Sequence, residues 1–365
     1  MKIRHYLIIV LALTLLSACQ PAGTQPVFNS TYGTATPIPF TNTKPKIVAT
    51  LPGRIRSFSV SPDRKTIAFA TSQGVVLYDL QSYKLLQTLG EAESVYLVNW
   101  SPDEKKLAAG SLVMQNSTSG KPHLAVWDTS AWHVIFEQMG DSDELDAING
   151  DIAWSPNIQS LATNMNWTGV LVYDIQSGKV ISRQGTLSPH SISWSPDGSR
   201  LVATGDLASG IRRWKVSTDE SVRLFDRRIG GFTQIAWSPD GKRIASGNFE
   251  GKVCLWTVAT NHCDGLIKAH QDAVFSLAWS SDGNQLATGG GIVRIWNTST
   301  GQLVKSFGLN TVSIYTHLEW LGINRPLVSS ETGYEDNALS IVRFWDVETG
   351  QVLFEFHGAE SSWGQ

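Results

Sequence analysis

The chain has 365 residues, 42% of them hydrophobic and 17% charged, with a formal net charge of −3. That balance supplies no basic field for a nucleic-acid backbone, and no Lys/Arg cluster stands out, so nucleic-acid binding is set aside. About 310 residues form one compositionally uniform body, which is long for a single ordinary core.

The first residues read as a targeting segment. Lys2 and Arg4 make a basic start, 6–16 is an apolar run, and Leu16-Ser17-Ala18-Cys19 follows. The run is too short for a bilayer that needs about 20 apolar residues, so a spanning helix is not expected. Leu-Ser-Ala-Cys resembles a bacterial lipobox. The resemblance implies removal of a signal peptide at 1–18, lipidation of Cys19, and a protein held outside the cytoplasmic membrane by its lipid alone; an ordinary cleaved signal is the other reading. Residues 19–45 are rich in Pro, Thr and Gly without periodicity. They form a tether that, at roughly 3 Å per residue, holds the body off the lipid surface.

From 46 to 358 the sequence repeats. The stretch 235–256, IAWSPDGKRIASGNFEGKVCLW, reads as three short strands joined by two turns, the first built on Ser-Pro-Asp-Gly. The residue before that turn recurs as Val60, Trp100, Trp154, Trp194, Trp237, Trp279 and Trp320, mostly at intervals in the low forties. A second ladder marks the end of each third strand: Tyr78, Trp127, Tyr173, Trp214, Trp256, Trp296 and Trp345. A period near 40 with four strands per unit is the signature of a propeller. Most of the tryptophans then serve as core between neighbouring sheets.

With Trp-Asp intact at 127–128 and 345–346, the chain resembles the WD40 repeat family. The resemblance implies an all-β, seven-bladed WD40-like β-propeller with four-stranded antiparallel blades over 46–358, followed by a tail at 359–365. The family's histidine–hydroxyl–tryptophan chain has its nearest match in His270, Thr288 and Trp296, but its aspartate is missing where the turn has become Gly289-Gly290-Gly291. The segment 46–51 mirrors 84–89, an outer strand with no blade of its own. It either replaces or extends the outer strand of the last blade.

If Cys19 carries lipid, Cys254 and Cys263 remain. Aligning blade five with blade six sets Trp256 opposite Cys263 and makes Cys254 its diagonal neighbour, so a Cys254–Cys263 disulfide and two buried thiols both fit. No zinc-like spacing surrounds them, and no metal or cofactor motif occurs elsewhere.

Function is sought where the copies differ. Three insertions, 110–123, 138–150 with Asp143 and Glu144, and 330–338 with Tyr334, share the face that carries the second-to-third turns. Trp167 and Phe249 occupy such turns, and Arg56, Asp151, His190, Gln234 and His317 interrupt the inner strands near that end. Together they suggest a recognition face for another protein, with surface drift and a hydrogen-bonded channel lining as the plain alternatives. A glycan-binding module using the aromatics is a second reading. An enzyme is a third, which would require carboxylates or histidines converging in a pocket; the sequence carries no catalytic motif.

Overall fold

In the computed structural model the described residues are 45–90, 93–114, 120–140, 150–164, 169–185, 189–205, 210–224, 229–308, 313–322, 326–333 and 340–359. They form seven antiparallel sheets in chain order, blade one over 55–89 and the rest over 94–139, 152–184, 192–224, 232–268, 276–307 and 313–358. Successive inner strands touch one another, and the last, Ser313–Trp320, returns to the first, Ile55–Val60, so the ring closes.

Register explains the two tryptophan ladders. In blade five Trp237 pairs with Ile244, Ile244 with Trp256 and Trp256 with Cys263, one row across the sheet. Blade six repeats it as Trp279, Leu286, Trp296 and Leu303. Residues directly opposite one another share a face. That row packs on the preceding blade: Trp279, Leu286 and Trp296 share a core with Ala245, Val253 and Leu255. The inner tryptophans also bond across the seam, Trp154, Trp194, Trp279 and Trp320 donating Nε1–H to the carbonyls of Asn99, Ala153, Ala236 and Ala278 at 2.9–3.1 Å.

The Ser-Pro-Asp turns hold themselves. In each, the serine hydroxyl donates to the acidic or amide side chain two residues on, as from Ser238 to Asp240 at 2.6 Å, and accepts from the amide five residues on, as from Arg243 at 2.9 Å. Blade three does the same with Ser155 and Asn157.

The N-terminal strand Ile47–Leu51 does not replace anything. It lies parallel to Val352–Gly358 as a fifth strand of blade seven, because a four-stranded blade leaves its outer edge free. Glu355 N–H donates to Lys46 O and Ala359 N–H to Leu51 O, each at 3.0 Å. Leu51, Ile55 and Phe58 join Val342, Phe344 and Phe356 in one core at the seam between the last and first blades.

The segment 110–123 is less a loop than an extended hairpin. Strands Lys106–Met114 and Gly120–Asp128 stay paired out to Met114 and Gly120, leaving 115–119 outside the described residues. Cys254 and Cys263 are joined, with their Cα atoms 5.8 Å apart and both side chains buried.

Candidate functional site

Arg56 enters at the start of blade one's inner strand and lays its guanidinium over Tyr96 of blade two, 3.7 Å from the ring centroid. Burial lowers its pKa, opposed by Tyr96. Among the described residues its Nη1 has no hydrogen-bond partner. On the other side of the ring, His190 of blade four meets Phe249 of blade five edge-on, centroids 6.3 Å apart. Phe249 is 57% exposed, and the other large exposed apolar side chains among the described residues lie on outer strands, in the N-terminal strand or just beside them. His317 turns inward with its ring against Phe58 at 4.8 Å, and burial lowers its pKa to about 4, so it is neutral. The structure thus pairs Arg56 with Tyr96 and His190 with Phe249 near one end, and sets His317 in the seam between blades seven and one. Trp167, Tyr334, Asp143, Glu144 and Cys19 lie outside the described residues.

Two inner-strand carboxylates have raised pKa values. Burial pushes Asp151 to about 6 and Glu319 to about 7. Both bond to the blade that follows: Ile192 N–H and Ser191 Oγ–H donate to Asp151 Oδ2 at 3.1 and 3.3 Å, and Val60 N–H donates to Glu319 Oε2 at 3.2 Å. They belong to blades three and seven, far apart in the ring order, and each stitches a seam. The inner strands therefore contribute more than small and amide groups, yet these two carboxylates serve separate seams.

The polar interruptions of the inner strands legible in the sequence include Asp151 but not Glu319 or Tyr96. Glu319 carried a signal: the residue before the ladder position is otherwise Ser59, Asn99, Ala153, Ser193, Ala236 or Ala278, all small or uncharged. A further cluster lies on blade two, where Ser111 Oγ–H donates to Glu93 Oε2 at 2.6 Å and His123 Nδ1 sits 3.2 Å from the same oxygen. Glu137 is 3.8 Å from the ring's other nitrogen. Ser111 Oγ also lies 3.4 Å from His123 Nδ1, so hydroxyl and imidazole share one carboxylate oxygen and the cluster ties the extended hairpin to its neighbouring link. Among the described residues no group of three His, Cys, Asp or Glu side chains is placed to hold a metal ion.

His270, Thr288 and Trp296 form a hydrogen-bonded chain. His270 Nε2 lies 2.8 Å from Thr288 Oγ1, which accepts from Trp296 Nε1–H at 3.0 Å. In place of the missing aspartate, Arg294 Nη1 stands 3.4 Å from His270 Nδ1. Burial and then this guanidinium lower the His270 pKa to about 3, so the ring is neutral. Nδ1 faces a donor and accepts, leaving Nε2 to carry the proton toward Thr288.

Residues 229–257 and 261–297, blades five and six, match the family model "WD domain, G-beta repeat". The chain is 31% identical over 111 residues to the WD repeat-containing protein 26 homolog of Arabidopsis thaliana, covering 28% of this chain and 18% of that protein. It is 24% identical over 208 residues to Pre-mRNA-processing factor 19 of Oryza sativa subsp. japonica, covering 54% and 37%. The matches span well under half of either curated relative. The molecule is a seven-bladed β-propeller, and two of its blades, five and six, match the WD40 repeat model.

Proposed function

We propose that the molecule is a non-catalytic interaction scaffold that binds another protein through the end carrying Phe249. One observation carries this reading: an aromatic ring, more than half exposed, stands on a turn tip beside the seam to the preceding blade and is braced edge-on by His190. Exposed aromatics of this kind anchor protein interfaces. Arg56 on Tyr96 adds a cation on the same end. The match of blades five and six to WD40 repeats supports a binding platform, since such repeats typically serve as one.

The same reading places the protein outside the cytoplasm on a lipid carried by Cys19, with 19–45 as spacer. The bridge between Cys254 and Cys263 suits an oxidising compartment, where disulfides persist. Replacing Cys19→Ser is expected to release the protein from membranes; full retention of the variant would count against lipid anchoring.

A photoreactive residue at Phe249, compared in intact cells with one at Lys105 on the opposite end, tests the recognition face. Capture of one partner from position 249 and little from 105 is the expected result, and equal capture from both positions would refute the face. Glycan-array binding by the purified chain, with no protein captured, would instead favour the carbohydrate-binding reading.

A further inference from the structure

A cleft of about 180 Å³ opens between blades six and seven at the end of the ring that bears the Ser-Pro-Asp turns, away from Phe249. Asp282, Gln285, Lys305, Trp320, Val347 and Glu348 are among its walls. A slot this size takes one long side chain, since pockets for whole small ligands start near about 300 Å³.

The neighbouring seam shows what fills such a slot. There Arg243 of blade five reaches across Trp279 of blade six, its Cζ 5.2 Å from the ring centroid. Its Nη1–H donates to Thr298 O at 2.8 Å, and Nη2–H donates to Gly283 O and Thr298 Oγ1, both at 3.1 Å. Trp279 is left 9% exposed.

Each part has a counterpart one seam on. Trp320 stands for Trp279, with its indole N–H on the preceding blade in the same way. Val347 stands for Thr298, each two residues after its third-strand tryptophan, and Gln285 stands for Arg243, each six residues after its inner-strand tryptophan. Gln285 is shorter and carries no charge. Trp320 is partly exposed, whereas the other five tryptophans of its ladder are at most 9% exposed. Lys305 does not fill the gap, because its Nζ is tied to the wall, donating to Val347 O at 2.8 Å and to Glu348 O. Asp282 faces the cleft as an ionised group. The Ser280 hydroxyl, then the Asn284 amide, hold it below the ordinary carboxylate range.

We propose that this slot binds an arginine side chain of a protein partner, its guanidinium laid on Trp320 and balanced by Asp282 and Glu348, as Arg243 is laid on Trp279 within the molecule. A flat guanidinium stacks on indole and meets carboxylates edge-on, which an ammonium does less well. The site lies on the opposite end from Phe249 and does not depend on the proposed recognition face.

The test uses the whole chain labelled with 5-fluorotryptophan, the Trp320 resonance assigned by Trp320→Phe, and capped peptides Gly-Ser-X-Ser-Gly with X as arginine, lysine, citrulline or leucine. The arginine peptide is expected to shift the Trp320 resonance at millimolar concentration and the lysine peptide at least about fivefold more weakly, with citrulline and leucine inactive. Gln285→Arg should fill the slot from within, moving the Trp320 resonance without peptide, abolishing the arginine response and raising the melting temperature. No shift with the arginine peptide, an equal response to leucine, or an undiminished response in Gln285→Arg would each overturn the proposal. Capture from Phe249 is unchanged by Gln285→Arg in every case, so the two readings fail separately.

Discussion

Ile158 occupies the position that Gly198, Gly241 and Gly283 fill in blades four to six, the residue after the acidic or amide turn position. Its φ is 65°, while the glycines have 69°, 72° and 71°. A β-branched side chain in the left-handed region is strained, since its branch crowds the backbone there. Ile158→Gly is therefore expected to raise stability by about 1 kcal/mol despite the freer unfolded chain, as read by the shift in a urea unfolding midpoint. Gly290 shows the reverse constraint: a Cβ built there would lie 2.6 Å from His270 Nδ1, so the three-glycine turn that cost the family's aspartate is also what gives the histidine room.

At the scale of single blades, buried polar chains decide how firmly the strands hold. Thr288→Val keeps the shape but removes the oxygen that both His270 and Trp296 address, stranding two buried groups. A loss of about 2–3 kcal/mol is expected, measured by chemical denaturation. Blade seven carries a heavier case. Arg343 is buried with Glu331 and Glu355, donating Nε–H to Glu355 Oε2 at 2.9 Å and pairing through Nη1 with Glu331, and His357 Nε2 lies 2.7 Å from Glu355 Oε1. Arg343→Met leaves the two glutamates facing each other without their shared cation. It should cost about 3–5 kcal/mol, read by chemical denaturation. These networks were only partly legible. His270, Thr288 and Trp296 sit at repeat positions, so the resemblance located them. Arg343, Glu331 and Glu355 meet through cross-strand pairing in a single blade, which no period announces.

Over the whole ring, titration at the closing seam couples stability to pH. Glu319 has its folded pKa raised from 4.5 to about 7 by burial. The native state therefore holds this proton more tightly, and stability from this group is present at low pH and lost as pH rises from about 4.5 to 7. His317, two residues away, is lowered from 6.5 to about 4, so its contribution is present at high pH and lost as pH falls through that window. The two slopes oppose each other. Glu319→Gln keeps an oxygen for Val60 N–H and removes the charge, so it should add roughly 2 kcal/mol at pH 8 and leave a chain that weakens steadily below pH 6.5. Melting temperatures of both proteins from pH 4 to 8 check this; parallel curves would show that Glu319 is not desolvated.

The sequence alone determined the number of blades, their boundaries and the two tryptophan rows, because every copy must present the same bulky residues to its neighbour and so writes the same period seven times. It also picked out Phe249, Arg56, His190 and His317 as departures from that period. Tertiary structure alone decided which departures meet: Arg56 with Tyr96, Phe249 with His190, Glu319 with Val60 across the closing seam, and the added N-terminal strand on blade seven. The slot over Trp320 belongs to that second class. A missing arginine leaves space only where two blades face each other, and the distance between facing blades is set by packing that a linear period does not encode.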